Sequence, residues 1–585
     1  MAKRLLKDRL LLILCAAMLM AAMSARAEGG PERFLKKAAL LKAQVVTEDT
    51  IEALGDAPAG EAGHAVFFSV CDGVDRAQVF SGTGETLAAA WDAAEQRAAQ
   101  AVAAQGLDPL WVKADVATEC ESVSADSFQV LTEGVSGFDF DGLALDGQFQ
   151  TAFLEGELNG WGIYDYKEGA LSLQKLNRCL EARGRTSFEA LPSNVLRFAA
   201  RGWFCDGDDA VYPLIQDGAD YGRREISPLD REMAAAMIDS ASRYLVTQVN
   251  PDGSFVYGRR GQTDKALSSY NIVRHSGTVW SLVCRYRMFP DNALPEIIDR
   301  VIAYMLSQLK YDESGAAYLY EAKSDEIKLG GNGIAVVALT EYMDVFHSDK
   351  YRDVSVALGE GILNMMDKNT GVYWHVLNGD FSPGDEFRTV YYDGEATFAL
   401  ARLYGLTGDE RWLDAACRAV ERFIADDYTQ YRDHWVAYSL NEVTKYVEDR
   451  QDFYDFALAN ATNNYERIEG RARCYPTNLE LLVSTFETWQ RMTARGADTG
   501  DFDVKRLLEV IEGRARRQLS SYCFPEYAMY MANPTRFLGT FAMRDDRFRV
   551  RIDDVQHNIG GYYLYWKNFD AMVEAGLDPA ASVQP

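Results

Sequence analysis

The stretch 396-ATFALARLYGLTGDERWLDAACRAVERFI-424 encodes two helices of different character joined by a short turn. Its first part, from Ala396 to Leu403, is apolar on nearly every side and is interrupted only by Thr397 and Arg402. A helix that is apolar all round must be covered by protein on most sides. The second part is amphipathic, and one helical face carries its apolar residues, Trp412, Leu413, Ala416, Val420, Phe423 and Ile424. The stretch therefore predicts a buried helix followed by a helix that covers it.

The turn within this stretch contains the residues that end and start helices. Glycine is common just past the last turn of a helix, so Gly405 is predicted to end the first helix. Thr and Asp are favoured N-cap residues, so Thr407 or Asp409 is predicted to begin the second helix.

Helices of these two characters alternate from Ser227 to about residue 572. We count twelve helical segments, of which the odd-numbered ones are amphipathic and the even-numbered ones are apolar nearly all round, as over residues 334–339. A closed ring of six helix pairs satisfies both patterns, with amphipathic helices outside and apolar helices lining the axis. The inner helices are predicted to begin near residues 274, 330, 392, 433, 476 and 554.

The region before the ring has a different texture. Residues 65–71, 110–116 and 128–132 are short apolar runs that predict strands. Residues 87–105 are rich in Ala and lack Gly and Pro, which predicts a helix capped by Thr86. The predicted fold class is therefore mainly α. An (α/α)6 toroid over residues 227–575 follows a smaller α/β domain over residues 61–225, and residues 28–60 form a linker with a helix.

The ring region resembles a known superfamily. Its six-pair count, its Gly-x-Phe/Tyr loops at residues 252–255 and 370–373, and its junction at residues 403–413 are similar to those of the six-hairpin glycosidase-like superfamily. The resemblance covers residues 227–572 and implies a cleft at one mouth of the ring, beside the N-terminal ends of the inner helices. It also implies carbohydrate substrates.

The first 27 residues have the three parts of an export signal. Four basic residues precede an apolar run from Leu10 to Met23, and Ala25-Arg26-Ala27 is a small-x-small cleavage site. We predict a mature chain that starts at Glu28, is periplasmic or secreted, and has no transmembrane segment after cleavage. An uncleaved anchor is the alternative.

Charge and cysteine content exclude several classes of function. The chain has 60 Lys and Arg against 87 Asp and Glu, a formal charge of −27, which disfavours a nucleic-acid partner. Eight cysteines remain after the signal, and their order suggests the pairs Cys71–Cys120, Cys179–Cys205 and Cys474–Cys523, with buried free thiols as the alternative. Because no Cys/His spacing suits zinc, neither a metal nor a cofactor is predicted.

Acidic residues at the predicted inner-helix starts are candidates for glycoside hydrolysis. That reaction needs one protonated and one ionised carboxyl group. Glu395 with Asp433 is the leading catalytic pair, and Asp393 is the main rival to either. The alternative is that Asp393 and Asp433 only cap their helices while Glu395 favours the helix dipole.

Histidines at the same helix starts suggest a second chemistry. His275, His434 and His557 lie on the second, eighth and twelfth predicted helices. The second and twelfth helices are neighbours across the ring closure, so His275 and His557 are expected to approach one another. Histidine suits the acid and base roles of epimerisation or lyase elimination, and His434 is a further catalytic candidate.

Basic residues precede all six predicted inner-helix starts: Arg274, Lys328, Arg388, Arg432, Arg473 and Arg551. In a chain this acidic, a cationic mouth predicts an anionic glycan with uronic acid or phosphate groups. Ion pairing within the loops is the alternative.

Polar and aromatic residues near the predicted mouth complete the candidate substrate-binding set. Its members besides the catalytic candidates are Arg274, His275, Asn332, Trp374, Tyr391, Tyr392, Trp435, Asn478, Asp554 and His557. Aromatic faces suit stacking on the C–H faces of sugars.

The sequence therefore predicts an exported carbohydrate-active protein that is glycoside hydrolase-like and acts on an anionic polysaccharide or oligosaccharide. One alternative is a sugar epimerase or polysaccharide lyase that uses His. The other is a non-catalytic glycan-binding factor that works with polysaccharide-export machinery.

Overall fold

A computed structural model describes residues 29–580 apart from 56–57, 126–141, 166–168, 208–209, 217 and 472. The predicted signal peptide and the predicted strand at 128–132 lie outside the described residues. No helix in the described part is long and apolar enough to cross a membrane.

Twelve helices of the C-terminal region form two concentric layers. The outer helices are α6 (Arg231–Thr247), α8 (Leu294–Leu306), α10 (Arg352–Asn364), α12 (Glu410–Ala425), α14 (Gln451–Thr462) and α17 (Val504–Gln518). The inner helices are α7 (Ile272–Met288), α9 (Leu329–Phe346), α11 (Tyr391–Thr407), α13 (His434–Val443), α16 (Pro476–Arg495) and α20 (Ile552–Ala575). Each inner helix packs on the next, and α20 packs on α7, so the ring closes. The predicted fold class is confirmed.

The two helix characters explain the two layers. In α9 every residue from Leu329 to Met343 is buried, whereas α12 buries only its apolar face, around Trp412 and Val420. The junction between α11 and α12 differs from its prediction at one residue. The helix continues through Gly405 and ends at Gly408, whose φ of 69° gives the left-handed cap, and Asp409 then caps α12.

Short helices and strands fill the loops of the ring. The helices are α15 (Tyr465–Glu469), α18 (Pro525–Ala528) and α19 (Pro534–Phe537). Strands β12 (Leu309–Tyr311), β13 (Ala317–Glu321), β14 (Glu326–Lys328) and β15 (Val376–Asn378) form one antiparallel sheet. Strand β10 (Gly258–Arg260) pairs with β11 (Lys265–Ala266) and with β16 (Arg549–Arg551), which joins the first and last hairpins of the ring.

The N-terminal region is built on an antiparallel sheet. Its strands are β1 (His64–Cys71), β2 (Gln78–Gly84), β3 (Trp111–Ser124), β4 (Gly142–Ala144), β5 (Ala152–Leu154), β8 (Asn194–Cys205) and β9 (Val211–Pro213). They run in the order β2-β1-β3-β8-β4-β5, with β9 beside β8, while β6 (Tyr164–Asp165) pairs with β7 (Ala170–Leu171). Its helices are α1 (Gly30–Val45), α2 (Glu48–Leu54), α3 (Leu87–Gln105), α4 (Glu155–Gly160) and α5 (Leu173–Ala182).

Helix α3 confirms the helix predicted over residues 87–105, and the Thr86 hydroxyl accepts the N–H of Ala89 as its cap. Helices α1 and α3 cover one face of the sheet through Phe34 and Trp91.

The other face of the sheet contacts the ring. Phe67 and Phe198 of the sheet share one apolar cluster with Tyr530, and the Tyr530 hydroxyl lies 2.7 Å from the hydroxyl of Ser69. Arg224 forms an ion pair with the fully buried Glu526 at 2.9 Å. The sheet therefore rests on the segment between α17 and α20, which leads into the N-terminus of α20.

The cysteines do not form the pairs suggested by their order. All eight described cysteines are free thiols, and most are buried. Burial raises the pKa of the Cys71 and Cys179 thiols to about 12, which keeps them protonated. The alternative of buried free thiols is what the structure contains.

Candidate active site

Aromatic side chains close the axis of the ring just below the inner-helix N-termini. Trp280 of α7 lies 5.9 Å from Trp435 and 5.5 Å from Tyr438 of α13, on the opposite side of the ring. Phe398 of α11 stacks on Tyr438 at 5.5 Å. The mouth is therefore a bowl with an aromatic floor.

Two histidines meet above this floor. The rings of His434 on α13 and His557 on α20 are 5.0 Å apart and nearly perpendicular, at 79°. Their helices are not neighbours, because α16 lies between them and contributes Glu480. His557 Nδ1 and Glu480 Oε2 are hydrogen-bonded at 2.8 Å, and the Tyr438 hydroxyl donates to Glu480 Oε1 at 3.1 Å. His434 Nε2 lies 3.9 Å from Glu480 Oε2.

The two histidines have opposite electrostatic surroundings. His434 is buried, and neither ring nitrogen has a hydrogen-bond partner among the described residues. Burial, with the nearby His557, lowers the pKa of His434 well below its usual value. Burial also opposes charge on His557, but Glu480, Asp553 and Asp554 outweigh it and raise the pKa of His557. These shifts favour a neutral imidazole on His434 and a protonated one on His557.

Local sequence places both histidines. Asp433 Oδ1 accepts the N–H of Trp435 at 2.9 Å and so caps α13, which makes His434 its first residue. Gly560 lies three residues after His557 on α20, and a Cβ there would lie 2.4 Å from Glu480 Oε1. The glycine therefore leaves the space that the Glu480 carboxylate occupies.

The leading carboxylate pair, Glu395 and Asp433, is also at the mouth but deeply buried. One oxygen of each carboxyl has no hydrogen-bond partner among the described residues. Burial, with the Asp433 charge, raises the pKa of Glu395 well above its usual value, and Arg274 only partly opposes this. Burial likewise raises the pKa of Asp433. The raised pKa values favour the protonated form of each carboxyl, whereas glycoside hydrolysis needs one of its two carboxyls ionised.

Asp393, the rival catalytic candidate, is hydrogen-bonded through both carboxylate oxygens. His375 Nε2 lies 2.9 Å from Asp393 Oδ1, and the Tyr428 hydroxyl donates to Asp393 Oδ2 at 2.8 Å. His375 Nδ1 accepts the N–H of Arg388 at 3.0 Å, so Nε2 carries the proton that Asp393 accepts. Both oxygens of Asp393 are thereby engaged with the loops before α11 and α13, and its catalytic role stays a prediction.

His275 does not approach His557. It is fully buried between α7 and α8, where its Nε2 donates to the carbonyl of Val301 at 2.9 Å and its Nδ1 accepts from the Tyr270 hydroxyl at 2.7 Å. Burial lowers the pKa of His275 to about 4, so it is neutral and structural. The approach expected of His275 is made by His434 instead.

The six predicted basic residues do not form a free cationic ring. Four of them pair with acids: Arg274 with Asp553 at 2.7 Å, Lys328 with Glu321, Arg388 with Glu326 at 2.8 Å, and Arg551 with Asp554 at 2.8 Å. For these four the alternative of loop ion pairing applies. Arg473 is exposed before α16, and Arg432 lies at the mouth directly before Asp433.

Two predicted substrate-binding residues, Asn332 and Asp554, support a loop and a helix start, and a third, Asn478, is buried. Asn332 is buried and accepts the N–H of Leu319 at 2.8 Å, which holds β13. Asp554 binds Arg549 and Arg551. Asn478 is buried, and its Nδ2 has no partner among the described residues.

The predicted aromatic residues take different positions. Tyr391 is exposed and its ring lies 5.7 Å from that of His434, so it borders the bowl. Tyr392 is buried 5.5 Å from the His375 ring, Trp435 belongs to the floor, and Trp374 is half-buried in the loop before α11.

His434, Glu480 and His557 are also the group of residues best placed to hold a metal ion. One donor atom from each lies within 4.8 Å of the others. The same three groups also suit acid–base chemistry, because the Glu480 carboxylate is hydrogen-bonded to one ring nitrogen of His557.

Sequence reasoning missed Glu480, which connects the two histidines. The signal was present, because Glu480 is the one charged residue in the run Asn478 to Phe486, whose members are otherwise apolar or small and uncharged. A single acid in an apolar inner helix must find a partner inside the ring.

Known structures share the ring architecture at low sequence identity. D-mannose isomerase is 10% identical with a TM-score of 0.45, covering 59% of this chain and 100% of that chain. Cellobiose 2-epimerase from Spirochaeta thermophila DSM 6192 is 16% identical with a TM-score of 0.44, covering 59% and 97%. Unsaturated glucuronyl hydrolase from Streptococcus agalactiae is 12% identical with a TM-score of 0.42, covering 59% and 94%. No protein-family model and no curated protein matches the chain. At these identities the similarity concerns the fold.

Proposed function

We propose that the bowl catalyses proton transfer at the carbon next to the carbonyl of a reducing sugar, so that the protein is an epimerase or an aldose–ketose isomerase. The observation that carries the proposal is the pair His434 and His557, whose rings are 5.0 Å apart and whose pKa values are moved in opposite directions. Paired groups with separated pKa values are what acid–base catalysis requires.

The reaction follows from the protonation states. Neutral His434 takes the proton from C2 of the open-chain sugar, and the electron pair of that C–H bond forms the C1–C2 double bond of an enediol. Protonated His557 gives its proton to the carbonyl oxygen at the same time. Protonated His434 then gives its proton back to the enediol. Delivery to C2, after rotation about the C2–C3 bond has turned the opposite face toward His434, gives the epimer, and delivery to C1 gives the ketose. His557 takes the hydroxyl proton from O1 in the first case and from O2 in the second, so both routes restore the starting protonation of the enzyme.

Glu480 supports this reaction without touching the sugar. Its carboxylate holds the His557 ring in one orientation and stabilises the imidazolium. The aromatic floor formed by Trp280, Trp435 and Tyr438 is apolar, and an aromatic face there suits the C–H face of a sugar.

Solvent-exchange measurements test the proposal. A panel of aldoses and reducing disaccharides is incubated with the protein in D2O, and loss of the C2 proton is followed by NMR. We expect exchange with wild type and a fall of about 10²–10⁴-fold in His434→Asn and His557→Asn. His347→Asn is the matched control, because His347 is exposed at the far end of α9, in a left-handed conformation that Asn tolerates.

The same panel separates the proposal from glycoside hydrolysis. New reducing ends released from a polysaccharide, lost in Glu395→Gln or Asp433→Asn but kept in His434→Asn, would refute proton transfer and establish the hydrolase.

Export to the periplasm or the medium is part of the proposed function. It is supported by the composition of residues 1–27, which have a basic start, an apolar run and a small-x-small end. N-terminal sequencing of the protein from cell fractions tests it, with Glu28 as the expected first residue. A chain that retains residues 1–27 in the cytoplasm would refute export.

A further inference from the structure

Exposed aromatic side chains are concentrated on one side of the bowl. In the part of the chain that the structure describes, five aromatic side chains are exposed, and four of them lie in or beside the loops that precede α11, α13 and α16: Phe387, Tyr391, Tyr431 and Tyr475. These three inner helices are consecutive in the ring. Such a concentration on one side of a mouth is unusual for surface aromatics, which are normally scattered singly.

A cavity lies among these aromatic residues, outside the bowl. It has a volume of about 510 Å³ and is walled by Phe387, Tyr373, Tyr428 and Tyr431. Arg422 and the acids Glu386, Asp393 and Asp426 also line it, and Arg422 forms an ion pair with Asp426 at 2.5 Å. Phe387 packs 4.6 Å from the His375 ring, and Tyr431 packs 5.1 Å from Tyr428. The network around Asp393 described above thus forms the wall between this cavity and α11.

Three arginines lie on the same side. Arg432 precedes α13, while Arg467 and Arg471 precede α16, and none of them forms an ion pair within the described part of the chain. The guanidinium of Arg471 lies 4.2 Å over the ring of Tyr475. Burial lowers the pKa of Arg432, and the like charges of Arg471 and Arg467 lower it further.

This arrangement contrasts with the rest of the mouth. In a chain with 87 acidic side chains, Arg274, Arg388 and Arg551 all find carboxylates. Cations that repel one another and lack acidic partners provide a site for an external anion, because its binding offsets the repulsion. Guanidinium groups bind carboxylate and phosphate groups with two parallel hydrogen bonds.

We propose that this side of the bowl binds an acidic oligosaccharide. Its reducing end lies at His434 and His557, an anionic group of a following sugar unit lies at Arg432, Arg467 and Arg471, and the chain continues over the exposed aromatic residues. This assignment of substrate class rests on the proposed function, since it places a reducing sugar in the bowl. The anion is a carboxylate or a phosphate, and both share the same recognition chemistry.

Calorimetric binding, rather than turnover, tests the subsite. The ligands are a neutral trisaccharide, a trisaccharide of uronic acids and a neutral trisaccharide with one phosphate group, each at low and high salt. We expect at least one anionic ligand to bind about tenfold tighter than the neutral one at low salt, with the difference shrinking at high salt. Whichever anionic ligand binds more tightly than the neutral one shows whether the subsite prefers a carboxylate or a phosphate group.

Variants locate the binding. Arg432→Gln and Arg471→Gln are each expected to lower the affinity for the anionic trisaccharide by about tenfold. Tyr475→Ala is expected to lower the affinity for trisaccharides more than the affinity for monosaccharides. Arg178→Gln, an exposed arginine of α5 in the N-terminal region, is the control and should change neither.

The subsite proposal would be overturned if neutral and anionic trisaccharides bound with equal affinity. It would also be overturned if Arg432→Gln and Arg471→Gln bound the anionic trisaccharide as tightly as Arg178→Gln does. Its failure is distinguishable from failure of the proposed function. If the protein exchanges the C2 proton of neutral sugars but shows no preference for anionic ligands, only the subsite proposal is refuted. If anionic ligands bind in an arginine-dependent way but no C2 exchange occurs, only the proton-transfer proposal is refuted.

Discussion

Replacing Gly560 by alanine probes the part of the site that depends most on close packing. The added Cβ would lie 2.4 Å from Glu480 Oε1 and 3.2 Å from its Cδ. The carboxylate cannot move freely, because one oxygen accepts from Tyr438 and the other pairs with His557. Either the helices separate slightly or Glu480 rotates and loses a hydrogen bond.

The expected loss of stability in Gly560→Ala follows from these two alternatives, helix separation and Glu480 rotation. Overpacking a buried site costs about 1–3 kcal/mol. Losing the charge-assisted hydrogen bond to His557 instead costs about 1.5–3 kcal/mol. The Gly→Ala exchange itself gains about 0.5–1 kcal/mol in a helix, because alanine has the higher helix propensity. Gly513→Ala isolates this gain, since a Cβ at the exposed Gly513 of α17 meets nothing within 4 Å.

Urea unfolding of the two variants, followed by tryptophan fluorescence, measures the difference. We expect Gly513→Ala to be slightly more stable than wild type and Gly560→Ala to be about 1–3 kcal/mol less stable than Gly513→Ala. The His557 signals in NMR should also titrate at lower pH in Gly560→Ala, because the Glu480 carboxylate has moved. Equal stability of the two variants, with an unchanged His557 titration, would refute the proposed packing of Glu480.

Four further predictions concern Glu480, Asp393 and the cysteines. Glu480→Gln removes the charge that raises the pKa of His557, so the loss of exchange activity on the alkaline side should move to lower pH; an unmoved alkaline limb would contradict the acid role of His557. The Glu480–His557 pair also makes stability depend on pH, because the pKa of His557 is higher in the folded chain than in the unfolded one. The pair stabilises the fold fully below the unfolded histidine pKa of about 6.5, and this contribution is lost as pH rises through the pKa of His557 in the folded chain. The difference in free energy of unfolding between wild type and Glu480→Gln should therefore shrink with rising pH. Asp393→Asn should lower the free energy of unfolding by about 1–3 kcal/mol through its bonds to His375 and Tyr428, with no shift in the alkaline limb, and a shift there would assign Asp393 to the reaction. Thiol titration of the denatured chain from residue 28 onward should find eight free thiols with or without reductant, and a smaller number without reductant would establish a disulfide.

The ring could be predicted from sequence because its cause is local. Runs such as Ile334–Leu339 are apolar on every side, and any structure that contains them must cover them on every side. The cap of α3 at Thr86 and the start of α12 at Asp409 were likewise predictable, because a cap bonds to backbone two or three residues away.

The membership of the site was only partly predictable. His275, His434 and His557 all lie near the first turns of inner helices, and nothing in their immediate neighbours distinguishes them. Tyr270 and Val301 draw His275 outward between α7 and α8. His434 and His557 instead meet over Trp435, a residue that contacts both.

The amino-acid sequence by itself determined a closed double layer of helices and the end of the ring at which polar side chains gather, because hydrophobic periodicity and helix capping act within a few residues. The tertiary structure alone decided that Asp393 supports a loop, that His275 is structural, and that Glu480 joins His434 and His557. Those outcomes depend on which side chains from distant segments fill the space around each group. Burial and hydrogen bonding, which set the charge of each group, arise only when those segments meet.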